Sequence, residues 1–138
     1  MEIPSQEATR DIVLEPIGFI RSPLTDRDTA PRQGSEATVE GELVVEEKYS
    51  DAFPGLKVGQ RIVILYWMHQ ADRQVLQVHP RHDLTRPKRG VFSTRSPDRP
   101  NPISVDTVEI VDIKGTVLRV RGIDALDGTP LIDIKCVS

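Results

Sequence analysis

Arg95 and Arg99 carry the most distinctive chemistry in this sequence. They stand four residues apart in the run Gly90-Val91-Phe92-Ser93-Thr94-Arg95-Ser96-Pro97-Asp98-Arg99-Pro100-Asn101-Pro102-Ile103. Each proline fixes its own φ and biases the residue before it away from the helical region, so Ser96, Arg99 and Asn101 are pushed extended. Prolines donate nothing to a strand ladder. After a β-leaning start over Gly90 to Thr94, the segment therefore reads as a stiff loop. Such a loop holds two planar, permanently charged forks at little ordering cost, and forks of that shape suit a carboxylate or a phosphate. A proline-rich turn whose arginines pair with nearby acids fits these residues equally well.

Charge distribution adds a second feature. The net charge is −3, which argues against a generally basic nucleic-acid binder. From Arg81 to Arg99, however, Arg81, Arg86, Lys88, Arg89, Arg95 and Arg99 face only Asp83 and Asp98, a local balance of +4 on a body of −7. A basic patch of this kind can attract an RNA backbone while the remainder repels it. A solvated, arginine-rich loop is the plainer alternative. His79 and His82 flank Pro80-Arg81, and His69 lies ten residues before His79. A cupin-like barrel binds metal through histidines on neighbouring strands. Here no glutamate or cysteine completes a recognisable ligand spacing and arginines crowd the site, so no metal is expected. Neither a glycine-rich dinucleotide fingerprint nor a phosphate-binding P-loop occurs.

The elements that must position these residues read as strands. Residues 1–13 read as a disordered tail and 14–138 as one domain, long enough for a real core. Strands are expected over Leu14 to Arg21, with Pro16 near its start, and over Ala37 to Val45, where Val39, Gly41, Leu43 and Val45 alternate with Glu40, Glu42 and Val44. A long polar loop separates them. Glu46 to Phe53 reads as a short helical turn stopped by Pro54-Gly55. Arg61 to Met68 follows, and its run Ile62 to Trp67 is apolar on both faces. It must be buried on both sides or covered by a second subunit. Val75 to His79 is a further short strand. Ile103 to Ile113 and Thr116 to Arg121 form a hairpin across Lys114-Gly115, and Leu131 to Ile134 is a last strand after the Asp127-Gly128-Thr129-Pro130 turn. Some seven short strands and 4% aromatics give an all-β barrel or sandwich. The longest apolar run is far too short for a membrane helix. The single cysteine, Cys136, excludes an internal disulfide and fits a reducing, cytoplasmic setting.

The run Phe92 to Ile103 closely resembles the signature of the TsaA/TrmO family, β-barrel methyltransferases that use S-adenosylmethionine and act on tRNA. Pro31-Arg32-Gln33, Trp67-Met68-His69 and Asp124 to Lys135 match in the same order, so the resemblance spans Ile17 to Lys135. It implies a small single-domain β-barrel with long functional loops, assembled as a homodimer. It also implies methylation of the N6 amine of a threonylcarbamoyl-modified adenosine beside the tRNA anticodon. Carried over, the cofactor contacts fall on Pro31, Arg32, Gln33, His69, Gln70, Arg95, Val105, Asp127, Gly128, Thr129 and Pro130. Arg95 would grip the cofactor carboxylate and Val105 pack its adenine. Asp127 and His69 are both possible bases, and nothing in the sequence separates base from ligand. Arg81, Arg86, Lys88, Arg89 and Arg99 would meet RNA.

The chain departs from the family pattern in places. Ser104 stands where glycine is usual, and Cys136-Val137 replaces a common Pro-Tyr ending. Many bacterial members carry a further C-terminal domain absent from this sequence; if that domain helps hold tRNA, RNA would be held differently here or the substrate would change. A non-catalytic RNA-binding barrel, stacking bases on Trp67, Tyr66 or Phe92, is the alternative of a different class.

Overall fold

The fold follows from alternation along its strands. The computed structural model describes residues 11–25 and 39–137. The Pro31-Arg32-Gln33 run and residues 1–10 of the expected tail lie outside them. The strands are β1 (Gly18–Arg21), β2 (Glu40–Val45), β3 (Arg61–Trp67), β4 (Gln77–Val78), β5 (Arg89–Gly90), β6 (Ile103–Lys114), β7 (Val117–Arg121) and β8 (Pro130–Cys136). Six of them close into a barrel in the order β1-β2-β7-β6-β3-β8, and β4 and β5 pair as a separate ribbon. All strand pairs are antiparallel. Closure leaves the barrel no free edge to aggregate.

In β3, Ile62, Ile64 and Tyr66 point into the core, while Val63, Leu65 and Trp67 stay half-buried on the outer wall. The run expected to be apolar on both faces thus buries one row in its own barrel. Ile20, Leu43, Ile110, Leu118, Val120 and Leu131 complete that core, each fully buried. Tyr66 is the core's polar exception, and its hydroxyl must find partners. β6 and β7 form the expected hairpin, with Gly115 at φ 59° supplying the left-handed backbone of the turn. A side chain at Gly18 would collide with the Val44 carbonyl oxygen, so β1 and β2 approach closely only because that position is glycine.

Several boundaries differ from expectation. β1 begins at Gly18 rather than Leu14, two residues beyond Pro16, whose nitrogen cannot donate to a ladder. The β-leaning run from Gly90 ends as a strand at once, and Val91–Ser93 turns as a 3-10 helix. The helical turn after β2 is also 3-10, over Glu47–Ala52. Among the described residues no helix is long and apolar enough to cross a membrane.

Candidate functional site

Antiparallel closure brings the end of β1, the start of β2 and two connections to the same mouth of the barrel: β3 to β6 by way of the ribbon, and β7 to β8. These connections carry nearly every residue singled out from the sequence. His69 and Gln70 follow β3 and line a shallow cleft with Met68, Pro97, Leu126 and Thr129. Residues 68–74 are stitched to the proline loop. The Met68 amide donates to the Pro102 carbonyl at 2.8 Å, the Asp72 amide to Asp98 at 2.9 Å, and Arg73 Nε to the Pro100 carbonyl at 2.7 Å. The Arg73 guanidinium also lies 5.1 Å from the centre of the Trp67 ring, a cation–π contact.

The two arginines of the proline loop play different parts. Arg99 turns inward, and its guanidinium donates to the Val91 carbonyl and, at 2.6 Å, to the Thr94 carbonyl. Arg99 Nε is buried without a hydrogen-bond partner. Arg99, expected to face RNA, is thus engaged in clamping the loop. Arg95 is exposed, and its positive charge acts on the Asp106 carboxyl. The loop is further fixed by Thr94 Oγ1, which donates to the Val91 carbonyl and accepts from the Ser96 amide.

Residues 127–130 tie β8 to β1. The Asp127 carboxylate accepts the Ser22 amide at 3.0 Å, and its own amide donates to the Leu24 carbonyl at 2.7 Å. Gly128, at φ 82°, donates to the Ile20 carbonyl, and buried Thr129 bonds back to the Leu126 carbonyl at 2.6 Å. Asp127 thereby has a structural task beside any role with a ligand. Pro130 opens β8 opposite Phe19. Val105 stands apart from the cleft. It is 47% exposed on the outer wall, because the inward row of β6 runs through Asp106, Val108 and Ile110.

Asp106 leads to a constellation that the sequence reading passed over. The Tyr66 hydroxyl lies 2.5 Å from Asp106 Oδ2 and 2.8 Å from Asp124 Oδ1, so both carboxyls converge on one hydroxyl. Burial, then the Asp124 carboxyl, push Asp106 up to about 7; Tyr66 and the Arg95 charge oppose that rise. Burial, with the two carboxyls beside it, also pushes the Tyr66 phenol up. One signal was present in the sequence: an aspartate in alternation with the inward Val108 and Ile110 of β6.

The basic residues Arg81, Arg86, Lys88 and Arg89 are all exposed on the excursion around the β4–β5 ribbon. Leu84 and Phe92 are exposed on the same excursion, at 78% and 88%. His79 Nδ1 pairs with the Arg86 carbonyl at 3.0 Å. Among the described residues no group of three histidine, cysteine or acidic side chains is placed to hold a metal.

Residues 19–138 match the family model of the tRNA-methyltransferase O N-terminal domain. The chain belongs to the TrmO family. A TrmO crystal structure overlays with a TM-score of 0.75 at 35% identity, covering 92% of this chain and 57% of the solved one. TrmO from Pseudomonas aeruginosa gives 0.73 at 32%, covering 92% and 56%. The chain therefore spans just over half the length of these TrmO structures. Two archaeal relatives match over most of both chains. A probable S-adenosyl-L-methionine-binding protein of Methanothermobacter thermautotrophicus is 50% identical, over 91% of this chain and 89% of its own. An S-adenosyl-L-methionine-binding protein of Archaeoglobus fulgidus is 43% identical, over 90% and 88%.

Proposed function

We propose that the chain is an S-adenosylmethionine-dependent methyltransferase that methylates the N6 amine of a threonylcarbamoyl-modified adenosine beside the tRNA anticodon. The observation that carries this is the convergence, at one barrel mouth of a TrmO-family chain, of an apolar cleft, the exposed Arg95 fork and acidic oxygens. The cofactor asks for those three things: a cation for its carboxylate, an apolar slot for its adenine, and acceptor oxygens near its sulfonium. Arg95 would hold the carboxylate. Met68, Pro97 and Leu126 would pack the base, with Gln70 at the cleft for its polar edge. The cofactor supplies an electrophilic methyl group. The chain's residues align it, since in-line displacement depends chiefly on positioning.

Arg95→Lys keeps the charge and loses the planar fork. A charge-assisted contact of this type is worth about 1.5–3 kcal/mol, so cofactor affinity should fall roughly 10- to 150-fold. Calorimetric titration measures it, alongside mass spectrometry of tRNA nucleosides after incubation with labelled cofactor. A wild-type chain that binds no cofactor would leave the RNA-binding barrel as the better reading. Wild type binding no more tightly than Arg95→Lys would keep the enzyme and remove Arg95 from the site.

The RNA surface is proposed to be the exposed Arg81, Arg86, Lys88 and Arg89. Binding of tRNA should weaken steeply as salt rises. Replacing Arg86, Lys88 and Arg89 together should flatten that dependence by up to about three phosphate contacts. An unchanged slope in the triple variant would place the RNA elsewhere.

A further inference from the structure

A tyrosine hydroxyl has one proton to donate. Tyr66 nevertheless lies within hydrogen-bond distance of two carboxyls, at 2.5 Å and 2.8 Å. Donation to one leaves the other contact to be made by a proton on the second carboxyl, with the phenol oxygen accepting it. Convergence of Asp106 and Asp124 on one hydroxyl makes the same demand, since two neighbouring carboxylates repel unless a proton is shared between them. The cluster is thus a proton store by its geometry. Tyr66 is 3% exposed and fixed in the barrel core, whereas both aspartates are only partly buried at the mouth that carries Arg95.

We propose that Asp106 and Asp124 together are the general base of this methyltransferase, accepting the proton that the substrate nitrogen loses, with Tyr66 as their positioning residue. The proposal rests on the methyl-transfer reading above and names the base which that reading leaves open between Asp127 and His69. Asp127 already bonds the Ser22 amide. The nitrogen lone pair forms the new N–C bond, and the C–S electron pair stays on sulfur. The N–H bond breaks, its proton passes to a carboxylate oxygen of the pair, and water removes it afterwards.

The groups facing Asp106 are Tyr66 from β3, Asp124 from the β7–β8 connection and Arg95 from the proline loop. Burial and Asp124 place loss of the shared proton near neutral pH, where a base serves best. The pair is therefore ready to accept above about pH 7 and already filled below it.

Asp106→Asn keeps shape and hydrogen bonding while ending the shared proton. Single-turnover methyl transfer by wild type should rise with pH through about 7 and then level. In Asp106→Asn the plateau should fall about 10²- to 10⁴-fold, and the rise through about 7 should be lost. Calorimetric cofactor affinity should change less than threefold, on the order of 0.6 kcal/mol. Carbon NMR of the ligand-free protein gives a readout independent of activity. The Asp106 carboxyl should titrate near 7 in wild type and be displaced in Tyr66→Phe. Wild type that transfers a methyl group while Asp106→Asn keeps its rate and pH profile would overturn the base alone. So would an ordinary Asp106 titration. Loss of cofactor binding in step with activity would make the pair a ligand instead. Wild type inert toward tRNA bearing the modified adenosine would remove the methyltransferase reading, and the base with it.

Discussion

Asp106→Asn is expected to make the folded protein more stable at pH 8 than wild type, and the advantage is expected to vanish near pH 4. Burial and the neighbouring Asp124 raise the folded-state value of Asp106 from the ordinary 3.8 to about 7. A raised value means that the folded chain holds this proton more tightly than the unfolded chain does. The resulting stabilisation is complete below about 4, declines as pH rises, and is gone above about 7. There the barrel must hold a carboxylate that burial disfavours. At about 1.4 kcal/mol per pKa unit, a separation near three units caps the effect at about 4 kcal/mol. Partial exposure of Asp106 screens it, so a gain of about 2 kcal/mol is expected. Asparagine does not titrate and keeps a hydrogen-bonding partner for Tyr66. Urea unfolding of both proteins at several values from pH 4 to 8 measures the difference. A gap independent of pH would mean that Asp106 carries no unusual proton. Gain of stability with loss of rate would mark these carboxyls as kept for chemistry rather than for the fold.

Much of the architecture was legible because strand alternation is a local property. Leu118 and Val120 against Arg119 and Arg121 fixed the inner row of β7, and Gly115 fixed its turn. Extent was harder to read. Pro16 removed a donor and shortened β1, while Val91 to Ser93 had strand-forming types but closed into a turn held by Thr94 and Arg99. The resemblance grouped His69, Gln70, Thr129 and Arg95 as cofactor contacts, and the structure sets them on connections at one mouth. Arg99, read from its basic stretch as an RNA contact, instead turns inward onto the Thr94 carbonyl. Direction of a side chain out of an irregular loop is set by which carbonyls surround it. The Tyr66–Asp106–Asp124 cluster lay beyond local reading for a related reason. Its members are 40 and 58 residues from Tyr66, and only the registers that close the barrel make them neighbours.

Arg99→Met is expected to loosen the proline loop and to lower both stability and cofactor affinity, without changing how RNA binding responds to salt. Methionine retains much of the apolar stem and loses the fork that donates to the Val91 and Thr94 carbonyls. Hydrogen bonds from a charged donor are worth about 1.5–3 kcal/mol each. The two share one side chain and do not add fully, and the buried Nε that lacks a partner offsets part of the gain. A loss of about 3 kcal/mol in unfolding free energy is therefore expected. Thr94 immediately precedes Arg95, so a freed Thr94 carbonyl releases the backbone that aims the Arg95 fork. Arg99→Lys, able to reach one carbonyl with a compact ammonium, should fall between wild type and Arg99→Met. Had Arg99 been a phosphate contact, as its place in the basic stretch implied, Arg99→Met would leave unfolding unchanged and lower the salt slope for tRNA by about one. Urea unfolding and tRNA binding at graded salt, on the same two variants, separate a clamp from a contact.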